Sequence, residues 1–161
     1  MGLASDIKQI FRLTKSTQAW VQNEMFVFPE GTNETCTLTA GAVNNTFGNW
    51  AVIANNLGVT LDSKFIAGPT TVGSVFLDQC DVHSFSVDAN VYILEIGYGA
   101  PQTVVCRARW LSTAAAIRPM AYQILLHSRH IPVGEALYYR MKCQTGLATC
   151  RTGFRYYFLQ R

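Results

Sequence analysis

Charge is scarce in this sequence. Asp, Glu, Lys and Arg make up 14% of the 161 residues, against 49% hydrophobic ones. A disordered chain shows the reverse balance, high net charge with little apolar content. Low charge on a folded surface leaves much of the outside suited to meeting other protein. Long apolar runs are missing too. No stretch approaches the ~18 residues of a membrane span, and MGLASDIKQIFRLTK at the N-terminus lacks the apolar core of a signal peptide. The expectation is a chain with no membrane partner that is used without a cleaved signal. The opening Met-Gly superficially suits myristoylation, but Asp6 stands where that pattern has Ser or Thr.

Several chemical signatures are also lacking. The five cysteines (Cys36, Cys80, Cys106, Cys143, Cys150) form no CxxC pair and leave one over, against a zinc ribbon or a dense disulfide framework. Cys143 and Cys150 flank QTGLAT and can face each other across a hairpin, as a disulfide or as two reduced, small apolar residues. Neither GxGxxG nor GxxxxGK[ST] occurs, so nothing is set up to cradle phosphates. No GxSxG elbow marks a nucleophile. No catalytic residue, cofactor or metal is expected.

Net charge is +3, unevenly spread. Residues 1–80 hold four cations and six anions, net −2, while residues 81–161 hold nine and four, net +5. That excess is modest for nucleic acid, whose binders concentrate cations on one face with a pI above about 9. Complementary halves on neighbouring subunits account for it as well.

What the chain does have is alternation. A domain usually runs to ~100–150 residues, so one domain is the simplest reading. From Met25 onward, short extended segments succeed one another between Gly, Pro and Asn turns: MFVF, TCTLTAG, NWAVIA, SKFIAG, TVGSVFLDQCDVHSF, ANVYILEIGYG, TVVCRARWL, IRPMAYQILLHS, EALYYRMKC and TCRTGFRYYFLQ. In TVVCRARWL the period of two puts Val104, Cys106, Ala108 and Trp110 on one face and Val105, Arg107 and Arg109 on the other. In EALYYRMKC it separates Leu137, Tyr139, Met141 and Cys143 from Tyr138, Arg140 and Lys142. The pattern predicts an all-β fold, an antiparallel β-sandwich of jelly-roll type over residues 25–161. Its expected core is Trp50, Val52, Phe76, Tyr92, Leu94, Ile96, Trp110, Leu125 and the row Phe154, Tyr156, Phe158. Residues 1–24 are read as an N-terminal arm with a short helix, capped by Ser5 or Asp6, that aligns Ile7, Ile10 and Phe11. Ten helical residues are marginal alone, so the arm needs its own sandwich or a neighbour to lean on.

Candidate chemistry is thin. His127 and His130 stand three apart in an extended segment, a spacing that does not aim both rings one way. Asp81 and His83 share a strand face by alternation, with Asp78 and Asp88 nearby, but no nucleophile accompanies them. The cations Arg107, Arg109, Arg140, Lys142, Arg151 and Arg155 recur on polar strand faces with Tyr138 and Tyr157 nearby. They are candidate assembly contacts, together with Ile7, Ile10 and Phe11. A mixed cation–aromatic surface suits protein, glycan or nucleic acid, and an ordinary solvated sheet face accounts for the same pattern.

The order TLTAGAVNNTFGNWAVI, SVFLDQCDVHSFSVDANVYILEIGYG, HIPVGEALYYRMKC and FRYYF resembles a group of small virion-associated proteins of tailed bacteriophages. In these, an Ala-Gly-Ala/Gly-x-Trp segment precedes a strand reading YxLEIGxG. A late strand opens with Ile-Pro-x-Gly-x-x-Leu. The resemblance covers roughly residues 35–158. It implies a jelly-roll structural protein of the head, neck or tail without enzymatic activity, located in the virion after synthesis in the host cytoplasm. Its partners would be further copies of itself and other virion proteins. A carbohydrate-binding or adhesin module is the alternative, since lectins share the architecture.

Overall fold

The computed structural model describes residues 25–66, 72–112 and 122–160. The candidate arm residues Ile7, Ile10 and Phe11 lie outside them. The described residues form ten strands: β1 Met25–Phe28, β2 Cys36–Thr39, β3 Ala51–Val52, β4 Val72–Phe85, β5 Val91–Tyr98, β6 Thr103–Leu111, β7 Tyr122–Leu125, β8 Ile131–Pro132, β9 Leu137–Cys143 and β10 Thr149–Gln160. One helix, α1, covers Leu61–Ile66.

The strands make two antiparallel sheets. The first has the order β1-β10-β4-β7, with β2 also on β10 and β8 also on β4; the second has the order β3-β9-β5-β6. Apart from the β5–β6 hairpin and the β1–β2 and β7–β8 steps, each connection crosses from one sheet to the other. One apolar cluster fills the space between the layers, with Phe28, Leu38, Leu77, Cys80, Phe154 and Tyr156 from the first sheet and Tyr92, Leu94, Ile96, Trp110 and Met141 from the second. Burial of each large apolar side chain contributes roughly 1.5–3 kcal/mol. Contacts that tie the layers directly include the Tyr139 hydroxyl accepting from the Thr39 amide at 3.1 Å and Phe85 packing on Tyr92 at 5.4 Å. The all-β sandwich read from the alternation is therefore present.

Several face assignments shift by one residue, and bulges explain two of them. Arg155 opposes Gln79 while Tyr156 opposes Leu77, so Asp78 is the extra residue on β4. The bulge reverses the phase: Val75 and Leu77 before it, and Cys80 and Val82 after it, all point inward. Phe76 leaves the expected core and stacks on Tyr157 instead. In β6 the register slips beside Ile96 and Gly97, leaving Val105 without an opposite number. Val105 is buried and Val104 is exposed, the reverse of strict alternation. Val52 and Leu125 are 44% and 60% exposed, and their neighbours Ile53 and Leu126 take the core places. Trp50 lies half-buried outside the core.

The segment SKFIAG, expected to be extended, holds most of α1. Leu61 and Phe65, four apart, both reach the core, and Asp62 in the first turn suits the helix dipole. All five cysteines are free and buried, Cys143 and Cys150 included.

Candidate interaction surface

Strand β5 is an inner strand of the second sheet, between β9 and β6, and supplies its most unusual residue. Its inward side chains are apolar, and Glu95 points outward between the two flanking strands. Glu95 stands directly opposite Arg107 on β6 and Arg140 on β9. The Arg107 Nε donates to Glu95 Oε1 at 2.7 Å, its Nη2 donates to the same oxygen, and the Arg140 Nε donates to Oε2 at 2.6 Å. The two guanidiniums cover the carboxylate so fully that Glu95 is 0% exposed. A buried glutamate is tolerated only when paired. Burial alone pushes its carboxyl up, but hydrogen bonds from Arg140 and Arg107, with the charges behind them, outweigh that and hold it below the usual carboxylate range.

The segment between β2 and β3 folds back over this row. The amides of Gly41 and Gly48 both donate to the Met141 carbonyl on β9, at 3.0 and 3.2 Å. A Cβ on Gly41 would sit 2.4 Å from the Thr46 carbonyl oxygen, so only glycine lets the segment close. The closure delivers Phe47 and Trp50 to the cations. The Arg140 guanidinium lies 4.8 Å from the Phe47 ring centre and 4.7 Å from that of Trp50; the Lys142 ammonium lies 4.9 Å from Phe47. Such contacts are worth about 0.5–1 kcal/mol each where exposed. Trp50 also rests over Gly97, where a Cβ would come within 3.2 Å of its ring.

Two residues further along each strand, Arg109 and Lys142 stand directly opposite Ile93. They border a cleft of about 220 Å³ lined also by Asn45, Val91 and Gln144. Arg107, Arg109, Arg140 and Lys142, four of the six expected cations, thus gather on one outer face around a single carboxylate.

The other two lie elsewhere. Arg151 and Arg155 belong to β10 in the first sheet. Arg151 is exposed, and Arg155 Nε lies 2.9 Å from Asp81 Oδ2. Gln79 donates to the other oxygen of that carboxylate. Asp81 is thereby engaged, while His83 stands exposed at a second bulge, skipped between the pairs Thr152–Val82 and Arg151–Ser84. His127 and His130 are both exposed, and the nearest carboxylate oxygen to His127 is that of Asp78 at 3.9 Å. Among the described residues no three His, Cys, Asp or Glu side chains gather as metal ligands, and no helix is long and apolar enough to cross a membrane.

Sequence reasoning missed Glu95, Phe47 and Trp50 as parts of this surface. Glu95 carried a usable signal, a single acid inside the apolar run YILEIG. Phe47 carried none, because its place depends on the Gly41–Gly48 closure. No protein-family model matches the sequence, and no curated protein matches it.

Proposed function

We propose that this chain is a non-enzymatic structural protein of a bacteriophage virion, a jelly roll that works through the surfaces it presents to copies of itself and to other virion proteins. The observation that supports the reading best is the strand order. Two four-strand paths, β1-β10-β4-β7 and β3-β9-β5-β6, with connections that repeatedly cross between sheets, match the paired Greek keys of a jelly roll, an architecture that capsid proteins use. The face of β9, β5 and β6 adds a candidate assembly surface whose guanidinium and aromatic groups are residue types that protein interfaces favour. Residues 1–16, with Ile7, Ile10 and Phe11, keep the docking role that their sequence pattern gives them as part of this proposal.

The test is the composition of particles. Particles released from a host carrying the gene are banded on a density gradient and their proteins identified by mass spectrometry. The chain is expected in the particle band in fixed proportion to the major capsid protein. Its confinement to the soluble lysate overturns the reading.

A further inference from the structure

Two neighbouring rows on the outer face of the second sheet share one plan. In the first, Arg107 and Arg140 stand opposite Glu95 and close on its carboxylate. In the second, Arg109 and Lys142 stand opposite Ile93 in the same positions on the same strands. The pair of cations is repeated; the acid between them is not. Ile93 accepts no hydrogen bond through its side chain. Among the described residues neither Arg109 nor Lys142 has an ion-pair partner. Two cations bordering one cleft repel each other, and one anion between them relieves that repulsion.

The cleft over Ile93 provides the space. Its volume of about 220 Å³ is below the ~300–1,000 Å³ of sites that engulf whole small molecules, and it fits one acidic side chain. We propose that this cleft binds a carboxylate, and that its occupant is an Asp or Glu side chain of a neighbouring protein chain in the assembly. The identity of the occupant rests on the assembly reading above; the affinity for carboxylate does not. Glu95 is the precedent within the chain, an acid of this kind already gripped by the same arrangement one row away. The floor of Ile93 and Val91 accommodates the methylenes of such a side chain. A sialylated glycan also carries a carboxylate, but it brings a ring and a polar tail for which this cleft is small.

The carboxylate site is tested on the full chain by NMR, titrating sodium acetate against sodium chloride at equal ionic strength. Acetate alone is expected to give saturable shifts at the Ile93 methyls and the Arg109 side-chain NH. The shifts at the Ile93 methyls are expected to vanish in R109Q/K142Q, and those at the Arg109 side-chain NH in I93E. The latter supplies the missing acid from within, as in the Glu95 row. Equal responses to the two salts, or an acetate response that persists in both variants, overturns the site. Should I93E fail to fold, the double variant carries the test.

The occupant is tested with a hexaglutamate peptide and sialyllactose as probes. The peptide is expected to bind at least about ten-fold more tightly, a difference of about 1.4 kcal/mol. The reverse order overturns the occupant in favour of a glycan. A chain that binds acetate and peptide yet stays out of particles keeps the site and loses the assembly reading. A chain whose incorporation is untouched by I93E keeps assembly and loses the occupant.

Discussion

Arg140 grips Glu95 with its Nε at 2.6 Å while its guanidinium packs over the ring of Trp50 at 4.7 Å. One side chain thus binds inner strand β5 of the second sheet to the segment that crosses its outer face. The carboxylate is the pivot, and the first prediction concerns it. Glu95→Gln keeps the shape, removes the charge and replaces one acceptor oxygen by an NH2 donor, so only one of Arg107 and Arg140 keeps an acceptor. Hydrogen bonds to charged groups contribute about 1.5–3 kcal/mol, and a loss in that range is expected from urea unfolding near neutral pH. The same substitution changes the acid limb. The folded carboxyl titrates below its unfolded value, so its contribution is complete above the ordinary carboxylate range, about 4.3. It is lost as pH falls through the depressed folded value. Urea unfolding across acid pH is expected to show a shallower decline for the variant than for the parent chain.

The legibility of this arrangement was uneven. Leu137, Tyr139, Met141 and Cys143 alternate inward along β9 as the sequence pattern requires, and so do Cys106, Ala108 and Trp110 in β6. Period two is a local property, and local properties can be read from a chain. Phe76, Val52 and Leu125 were misplaced because a strand slipped by one residue exchanges its faces, and the bulge at Asp78 has no composition of its own. The gathering of Arg107, Arg109, Arg140 and Lys142, and the separation of Arg151 and Arg155, depend on which strands pair. Pairing is a long-range outcome that periodicity does not encode.

The cysteines give a second prediction. All five are free and buried, and burial pushes the thiols of Cys36, Cys80 and Cys106 up to about 12. The thiolate is the reactive form, so at mildly alkaline pH Cys36, Cys80 and Cys106 of the native chain should give no fast reaction with a disulfide reagent. Five thiols per chain are expected once it is unfolded in denaturant. Fast labelling of Cys36, Cys80 or Cys106 in the native state, located by peptide mapping, would contradict the packed interior described for them.

The turn between β9 and β10 sets two neighbouring residues against each other. A Cβ on Gly146 would fall 2.1 Å from the Ala42 carbonyl oxygen, a backbone atom that cannot swing aside. Gly146→Ala should therefore cost roughly 1–3 kcal/mol or more through forced backbone shifts. Leu147 is the opposite case: it is 64% exposed and holds φ +57°, where a side chain is unfavourable. Glycine relieves about 1–2 kcal/mol of that strain but costs about 0.5–1 kcal/mol in unfolded-chain entropy. The balance favours Leu147→Gly by about 0.5 kcal/mol, visible as a melting temperature raised by about 1–2 °C. Calorimetry of the two variants checks both signs.

The other buried acid among the described residues, Asp81, lies on the first sheet and is 8% exposed. Arg155 holds one of its oxygens and Gln79 the other. Removing one member of a fully buried pair costs about 3–5 kcal/mol, because the abandoned charge stays out of water. Here the arginine side chain is itself 38% exposed and Gln79 continues to donate, so Arg155→Met should cost less, about 2 kcal/mol. Asp81→Asn leaves Arg155 able to reach solvent and should cost about 1 kcal/mol. If the pair is the source of both losses, the double variant should be less destabilised than the two single ones together, with a coupling of about 1 kcal/mol. Denaturant unfolding of the four proteins measures that coupling directly. Strict additivity would mean that Arg155 supports β10 through its aliphatic stem alone and that its contact with Asp81 contributes nothing to the fold.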